Sequence, residues 1–100
     1  MDEKGALTLL GFAQKGRMLV AGESGVDVFL KKDKLQLMII ASDLAAERQT
    51  SWQQKAAENE IETIIFSTKS QLGLAIGMSP RSVIGITDAQ MAQALLKKLL

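Results

Sequence analysis

Residues 67–77 read Ser67-Thr-Lys-Ser-Gln-Leu-Gly-Leu-Ala-Ile-Gly77 and follow directly on the β-like run Ile64–Phe66. Thr68 with Gln71 three residues later has the form of a capping box, in which each side chain satisfies a backbone N–H of the other residue. A helix therefore starts where a strand ends. Leu72, Ala75 and Ile76 give that helix an apolar face, while Gly73 and Gly77 are spaced to leave one side of it bare. Something approaches the backbone there. It is a neighbouring helix or strand on one reading, and a nucleic-acid backbone or loop on the other. The local pattern leaves both open.

The same alternation extends in both directions. Ala6, Leu9, Leu10 and Ala13 fall at helical spacing and predict a first helix ending near Gly16. Met18–Ala21 is a short apolar run closed by Gly22, read as a brief strand. Ser24 with Asp27 repeats the capping-box pattern, with Val26, Phe29 and Leu30 on one face behind it. Lys31, Lys32 and Lys34 come at that helix's end, where cations face the negative end of its dipole. Leu35–Ile40 reads as a buried strand, and Ser42 or Asp43 as the cap of the long polar stretch Leu44–Asn59. Ile61–Phe66 and Ser82–Thr87 are the remaining strands. Thr87 with Gln90 is a further capping box, opening a helix whose apolar face is Met91, Ala92, Leu95, Leu96 and Leu99. Near-continuous apolar strands alternating with helices imply a sheet covered on both faces. The expected fold is α/β, a three-layer α/β/α sandwich with a four-stranded mixed sheet, in one domain spanning residues 1–100.

One hundred residues support one compact core. Three Phe and one Trp are too few for a large aromatic pocket. Twelve basic against eleven acidic residues leave the chain nearly neutral, so any polyanion binding depends on local clustering. No cysteine occurs, which removes disulfides and thiolate metal sites. The acidic start Met-Asp-Glu-Lys lacks an apolar signal core, and no apolar run approaches a membrane span. The reading is a soluble, cytoplasmic protein with no membrane partner.

Catalytic chemistry finds little to use. Histidine is absent, and neither Tyr nor Cys replaces it as a base or nucleophile. Gly22-Glu-Ser-Gly25 resembles a nucleophile elbow only in part, because Val26 stands where the pattern needs glycine. No phosphate-loop pattern occurs. Glu58, Glu60 and Glu62 could suggest a divalent-ion site, but such a run is more simply a solvated helix end. The expectation is a protein that is not an enzyme, with no cofactor and no metal. What remains is a set of basic and small residues at one end of the predicted sheet. They come from the start of the Ser24 helix, the Lys69–Ser70 turn and the Met78–Ser82 loop. Helix N-termini attract phosphate, and Lys15, Arg17, Lys31, Lys32, Lys69 and Arg81 could add counter-charge. The competing reading is scattered lysines that only aid solubility.

With these elements placed, the chain resembles the ribosomal-protein seven-Ae/thirty-e family of kink-turn RNA binders, and within it the small bacterial YlxQ-like subgroup. The resemblance is carried by Leu9–Arg17, Val20-Ala-Gly22, Met38–Asp43, Val83-x-x-Ile86-Thr-Asp88 and above all Lys69-x-x-Leu72-Gly73-x-Ala75-x-Gly77. It implies the same sandwich fold and a non-catalytic partner of structured RNA, ribosomal or otherwise kink-turn-like, with ribosomal proteins as further neighbours. The family's first RNA element, Gly-x-Asn/Lys-Glu/Gln-x-x-Lys, falls on Gly22, Glu23, Ser24, Gly25 and Val28, of which only the glycine is kept. Each lost base-edge contact is worth about 1–3 kcal/mol. The second element falls on Met78-Ser-Pro-Arg-Ser82, with Arg81 as its stacking or phosphate contact. The implied RNA-binding set is Gly22, Glu23, Ser24, Gly25, Val28, Lys31, Lys32, Lys69, Met78 and Arg81. Restoring Asn, Glu and Lys at positions 24, 25 and 28 is expected to sharpen recognition, with a gain in helix propensity at position 25.

Overall fold

The computed structural model describes residues 1–100. Helices and strands alternate as α1 (Glu3–Lys15), β1 (Leu19–Ala21), α2 (Glu23–Lys31), β2 (Leu37–Ile40), α3 (Ala46–Glu58), β3 (Thr63–Ile65), α4 (Lys69–Ala75), β4 (Val83–Ile86) and α5 (Ala89–Leu99). The strands form one mixed sheet in the order β1-β4-β2-β3. β4 runs antiparallel to both β1 and β2, whereas β2 and β3 are parallel. The central strands β2 and β4 are buried along their whole length, as their unbroken apolar sequences require.

Side-chain alternation sends Leu37 and Ile39 of β2 to one face and Met38 and Ile40 to the other. On the first face α1, α4 with its closing residue Ile76, and α5 bring Ala6, Leu10, Leu72, Ile76, Ala92, Leu95 and Leu99 into a core of 14 buried residues. On the second, α2 and α3 bring Val26, Leu30, Trp52 and Ala56 into a smaller core of nine. The three-layer α/β/α sandwich is the one the sequence predicts. No helix is long and apolar enough to cross a membrane.

Register decides where the turns go. Ile40 stands opposite both Ile65 and Val83, and Ala21 opposite Ile84. The chain therefore leaves β1, β2 and β3 at one end of the sheet and enters β4 at that same end.

Several expected caps differ. Thr68 does cap α4, its hydroxyl accepting from the Gln71 N–H at 3.2 Å, but the box is only half formed. Gln71 Oε1 instead accepts from Ser67 Oγ at 2.7 Å. Ser24 is not a cap: α2 already begins at Glu23, with Gly22 at the cap position and no side chain satisfying its first turn. Gly22 turns the chain out of β1 at φ +93°, which glycine alone adopts without strain. Thr87 follows the end of β4 with its N–H donating to Met18 O at 2.8 Å, and Asp88 caps α5 in its place. α3 begins after Ala45 without a side-chain cap. Ser42 and Asp43 turn to the neighbouring connection, Ser42 Oγ donating to Ser67 O and Asp43 Oδ1 accepting from Lys69 N.

The two glycines of the opening stretch do not share a helix face. α4 ends at Ala75, and Gly77 lies beyond it at φ +72° in the closing turn, where Met78 N donates to Gly73 O at 2.8 Å. Gly73 alone is closely approached, and the approaching backbone is the chain's own Ser79–Pro80 segment. A Cβ at position 73 would stand 2.7 Å from the Ser79 carbonyl carbon and 2.9 Å from Pro80 Cα. Neither a helix, a strand nor a nucleic acid fills that space.

Candidate nucleic-acid interface

The end of the sheet where three strands stop and β4 begins carries a shallow depression of about 340 Å³. Its wall is Ala21 to Gly25 on one side and Pro80, Arg81 and Ser82 on the other. The Gly22 N–H donates to Val83 O at 3.0 Å, which fastens the two sides together. A Cβ at Gly22 would reach within 3.9 Å of Arg81 Cδ and Nε, so the guanidinium stem lies along the helix start. The start of α2 and the 78–82 loop therefore share one edge of the molecule, as the alternation of elements predicts.

Arg81 is held by its own loop. Its Nη1 donates to Ser79 O at 3.0 Å, Ser79 Oγ at 2.6 Å and Pro80 O at 3.2 Å, and no carboxylate pairs with it. Its backbone N–H donates to Lys69 O at 3.0 Å, bringing the start of α4 alongside. An unneutralised guanidinium thus stands beside a helix start with no side-chain cap and a positive dipole end. That arrangement favours a multiply charged anion.

The remaining residues of the set divide. Gly22, Glu23, Ser24, Gly25 and Arg81 line the depression, with Lys69 adjacent through its carbonyl. Val28 is exposed one turn along α2 from Ser24. Lys31 and Lys32 end the helix about 10–12 Å from Ser24 at 1.5 Å per residue. Lys31 Nζ also pairs with Asp27 at 3.0 Å. Met78 is exposed in the turn after α4 and does not line the depression. Lys15 and Arg17 lie at the opposite end, next to Met18, whose carbonyl binds the end of β4. Six cations therefore do not form one cluster, because four of them sit at helix C-termini or strand starts remote from the depression.

Two further expectations change. The start of α4 offers fewer free donors than supposed, since Thr68 Oγ1 and Asp43 Oδ1 already accept two of its N–H groups. Gly25 is not a free position either. A Cβ there would lie 2.7 Å from Val20 Cγ2, so the Val20 side chain or the start of α2 must shift and the propensity gain is opposed. No three acidic side chains converge, so Glu58, Glu60 and Glu62 form no metal cluster.

Sequence reasoning missed what holds Glu23. Its carboxylate pairs with Arg48 and accepts from Trp52 Nε1 at 3.3 Å, both on α3. The spacing Arg48, Trp52, Ala56 at four-residue steps was the available signal, marking the face of α3 turned toward α2.

The pattern of the ribosomal protein L7Ae/L30e/S12e/Gadd45 family matches residues 5–96. A Bacillus halodurans C protein of unknown function is 30% identical, covers 94% of this chain and 95% of its own, and superposes with a TM-score of 0.89. A Giardia lamblia 15.5 kD RNA-binding protein shares the fold at a TM-score of 0.78 and 19% identity, over 93% of this chain and 80% of its own. No curated protein matches the sequence.

Proposed function

This chain belongs to the ribosomal protein L7Ae/L30e/S12e/Gadd45 family, and from that premise we propose that it is a non-catalytic, cytoplasmic RNA-binding protein, associated with the ribosome or another structured RNA. Its ligand is a kink-turn-like RNA, recognised through an altered and weakened first element. The YlxQ-like motifs quoted above make a bacterial relative of that subgroup the best description. The observation that carries the reading is the pairing of Arg81, free of any carboxylate, with the uncapped start of α2 across one depression. The Giardia lamblia relative, an RNA-binding protein of the same fold, supports it.

Ser24 and Gly25 supply a hydroxyl and bare backbone where the family places amide and carboxylate groups, and Val28 supplies no cation. Base-edge readout is therefore reduced, while backbone attraction persists. Titration of a kink-turn RNA and a matched straight duplex at fixed salt tests this. The native protein is expected to prefer the kink-turn modestly, and Arg81→Ala to weaken binding at least several-fold. Equal binding by native protein and variant, with neither RNA preferred, would overturn the reading.

A second reading is a protein-interaction module on the same scaffold. It is favoured by Phe12 and Leu74, which are 59% and 78% exposed on α1 and α4. Ribosome co-sedimentation that survives Arg81→Ala but not Leu74→Ser would select it.

A further inference from the structure

Beyond the depression, cations continue along the groove between α2 and α3. Glu23 lines the depression and also two hollows on its far side, which Ser24, Asp27, Arg48, Ser51, Trp52 and Lys55 complete. The contacts form an unbroken chain. Arg48 pairs with Glu23, Trp52 Nε1 donates to the same carboxylate, and Lys55 lies 4.9 Å over the Trp52 ring. Lys55 also reaches Asp27 at 3.9 Å, and Lys31 pairs with Asp27 at 3.0 Å. Three cations face two carboxylates here, with unpaired Arg81 at the head of the line.

We propose that this α2–α3 groove is a second contact strip, which seats the phosphate backbone of an RNA stem leaving the depression. The proposal rests on the RNA-binding reading above and adds the α3 residues Arg48, Trp52 and Lys55, which neither the sequence motifs nor that reading assign.

Three features support a backbone ligand. From Glu23 to Lys31 the helix rises about 12 Å, so the strip is long enough to follow a run of backbone phosphates rather than a single anion. Arg48 and Lys55 are 52% and 48% exposed, so their ion pairs contribute little and exchange readily for phosphate. When Arg48 leaves Glu23, the carboxylate keeps the indole N–H, so no anion is orphaned. Trp52 is only 5% exposed and has no free ring face for a base. The strip therefore tracks charge and does not stack nucleobases, which selects a stem over an unpaired strand.

The test is titration across a range of KCl concentrations, using one kink-turn RNA with a long flanking stem and a copy with that stem cut back. Native protein, Arg48→Gln, Lys55→Gln, Glu23→Gln and Arg81→Gln are compared, with folding checked by circular dichroism. Arg48→Gln and Lys55→Gln are each expected to weaken binding several-fold and to lower the slope of log K against log salt by about one. Both effects should vanish on the short-stem RNA. Glu23→Gln keeps an oxygen for the indole and frees Arg48, so it should tighten binding to the long-stem RNA. Unchanged slopes for Arg48→Gln and Lys55→Gln, with Arg81→Gln still weakening binding, would show that the strip holds only intramolecular ion pairs. Failure of the native protein to bind either RNA would overturn the RNA reading itself, and the strip with it.

Discussion

The two helical layers of the sandwich end their helices differently. In the layer of α1, α4 and α5 every helix start is capped by a side chain: Asp2, Thr68 and Asp88 accept from Gly5, Gln71 and Met91. In the layer of α2 and α3 neither start is, Gly22 and Ala45 occupying the cap positions. The first layer also covers the larger core, whereas the second carries three of the four ion pairs on its outer surface. A capped start spends part of its free N–H groups within the chain and offers fewer of them to a ligand. One layer thus holds the fold, and the other leaves its polar groups available.

The largest expected effect lies in the capped layer. Leu95→Ala removes a fully buried side chain from the 14-residue core and should cost about 3–4 kcal/mol. Urea denaturation measures it, and RNA affinity of the folded protein should be unchanged. A loss of affinity equal to that of Arg81→Ala would erase the division between layers.

Gly73→Ala tests the bridge between them. The added methyl meets the Ser79–Pro80 backbone, which carries Arg81, so the cost should be about 2 kcal/mol. Unlike Leu95→Ala, it should also weaken RNA binding, because the 78–82 loop must move. Titration with the kink-turn RNA reads this directly.

Caps give a smaller contrast. Asp88→Ala removes an acceptor at 2.8 Å and should cost about 1 kcal/mol, whereas Ser24→Ala, which removes no cap, should cost well under half of that. Equal losses in thermal or urea unfolding would mean that Ser24 caps α2 in solution.

The smallest effect is in acid. The Gly5 N–H, followed by the Lys98 ammonium, holds the exposed Asp2 carboxyl below its ordinary value of 3.8. A lowered native value contributes stability above about pH 3.8, and that contribution is lost as pH falls through the lowered value. Unfolding midpoints of the native protein and Asp2→Asn should converge on acidification, since asparagine caps without charge. A constant gap from pH 7 to pH 2.5 would remove the carboxylate from the account.

Much of the fold was legible because strand burial and helix amphipathicity are written in residue spacing. Leu35–Ile40 and Ser82–Thr87 read as strands and contain β2 and β4, and Leu95 with Leu99 marks the inner face of α5. Caps were less legible. A Ser or Thr three residues before Asp or Gln fits the box at positions 24 and 87, yet Gly22 and Asp88 take those roles. Helix starts are set by where the preceding strand releases the chain, and that is a property of sheet register. Helix ends escaped the pattern for a similar reason. Arg17, Asp33 and Glu60 adopt φ +57° in left-handed closing turns, where glycine is the usual signal and tertiary context overrides it.

The sequence by itself determined the order of elements and the two-sided covering of the sheet. Those follow from local periodicity. Only the tertiary structure decided which cations stand together. Lys31, Lys32, Lys15 and Arg17 look equivalent to Arg81 in one dimension, but strand direction sends them to the far ends of helices or of the sheet. It also turned Glu23 away into a clamp with Arg48 and Trp52, residues some 25 to 29 positions distant in the chain. Contacts of that separation depend on how α2 and α3 lie against the same face of the sheet, which no local pattern encodes.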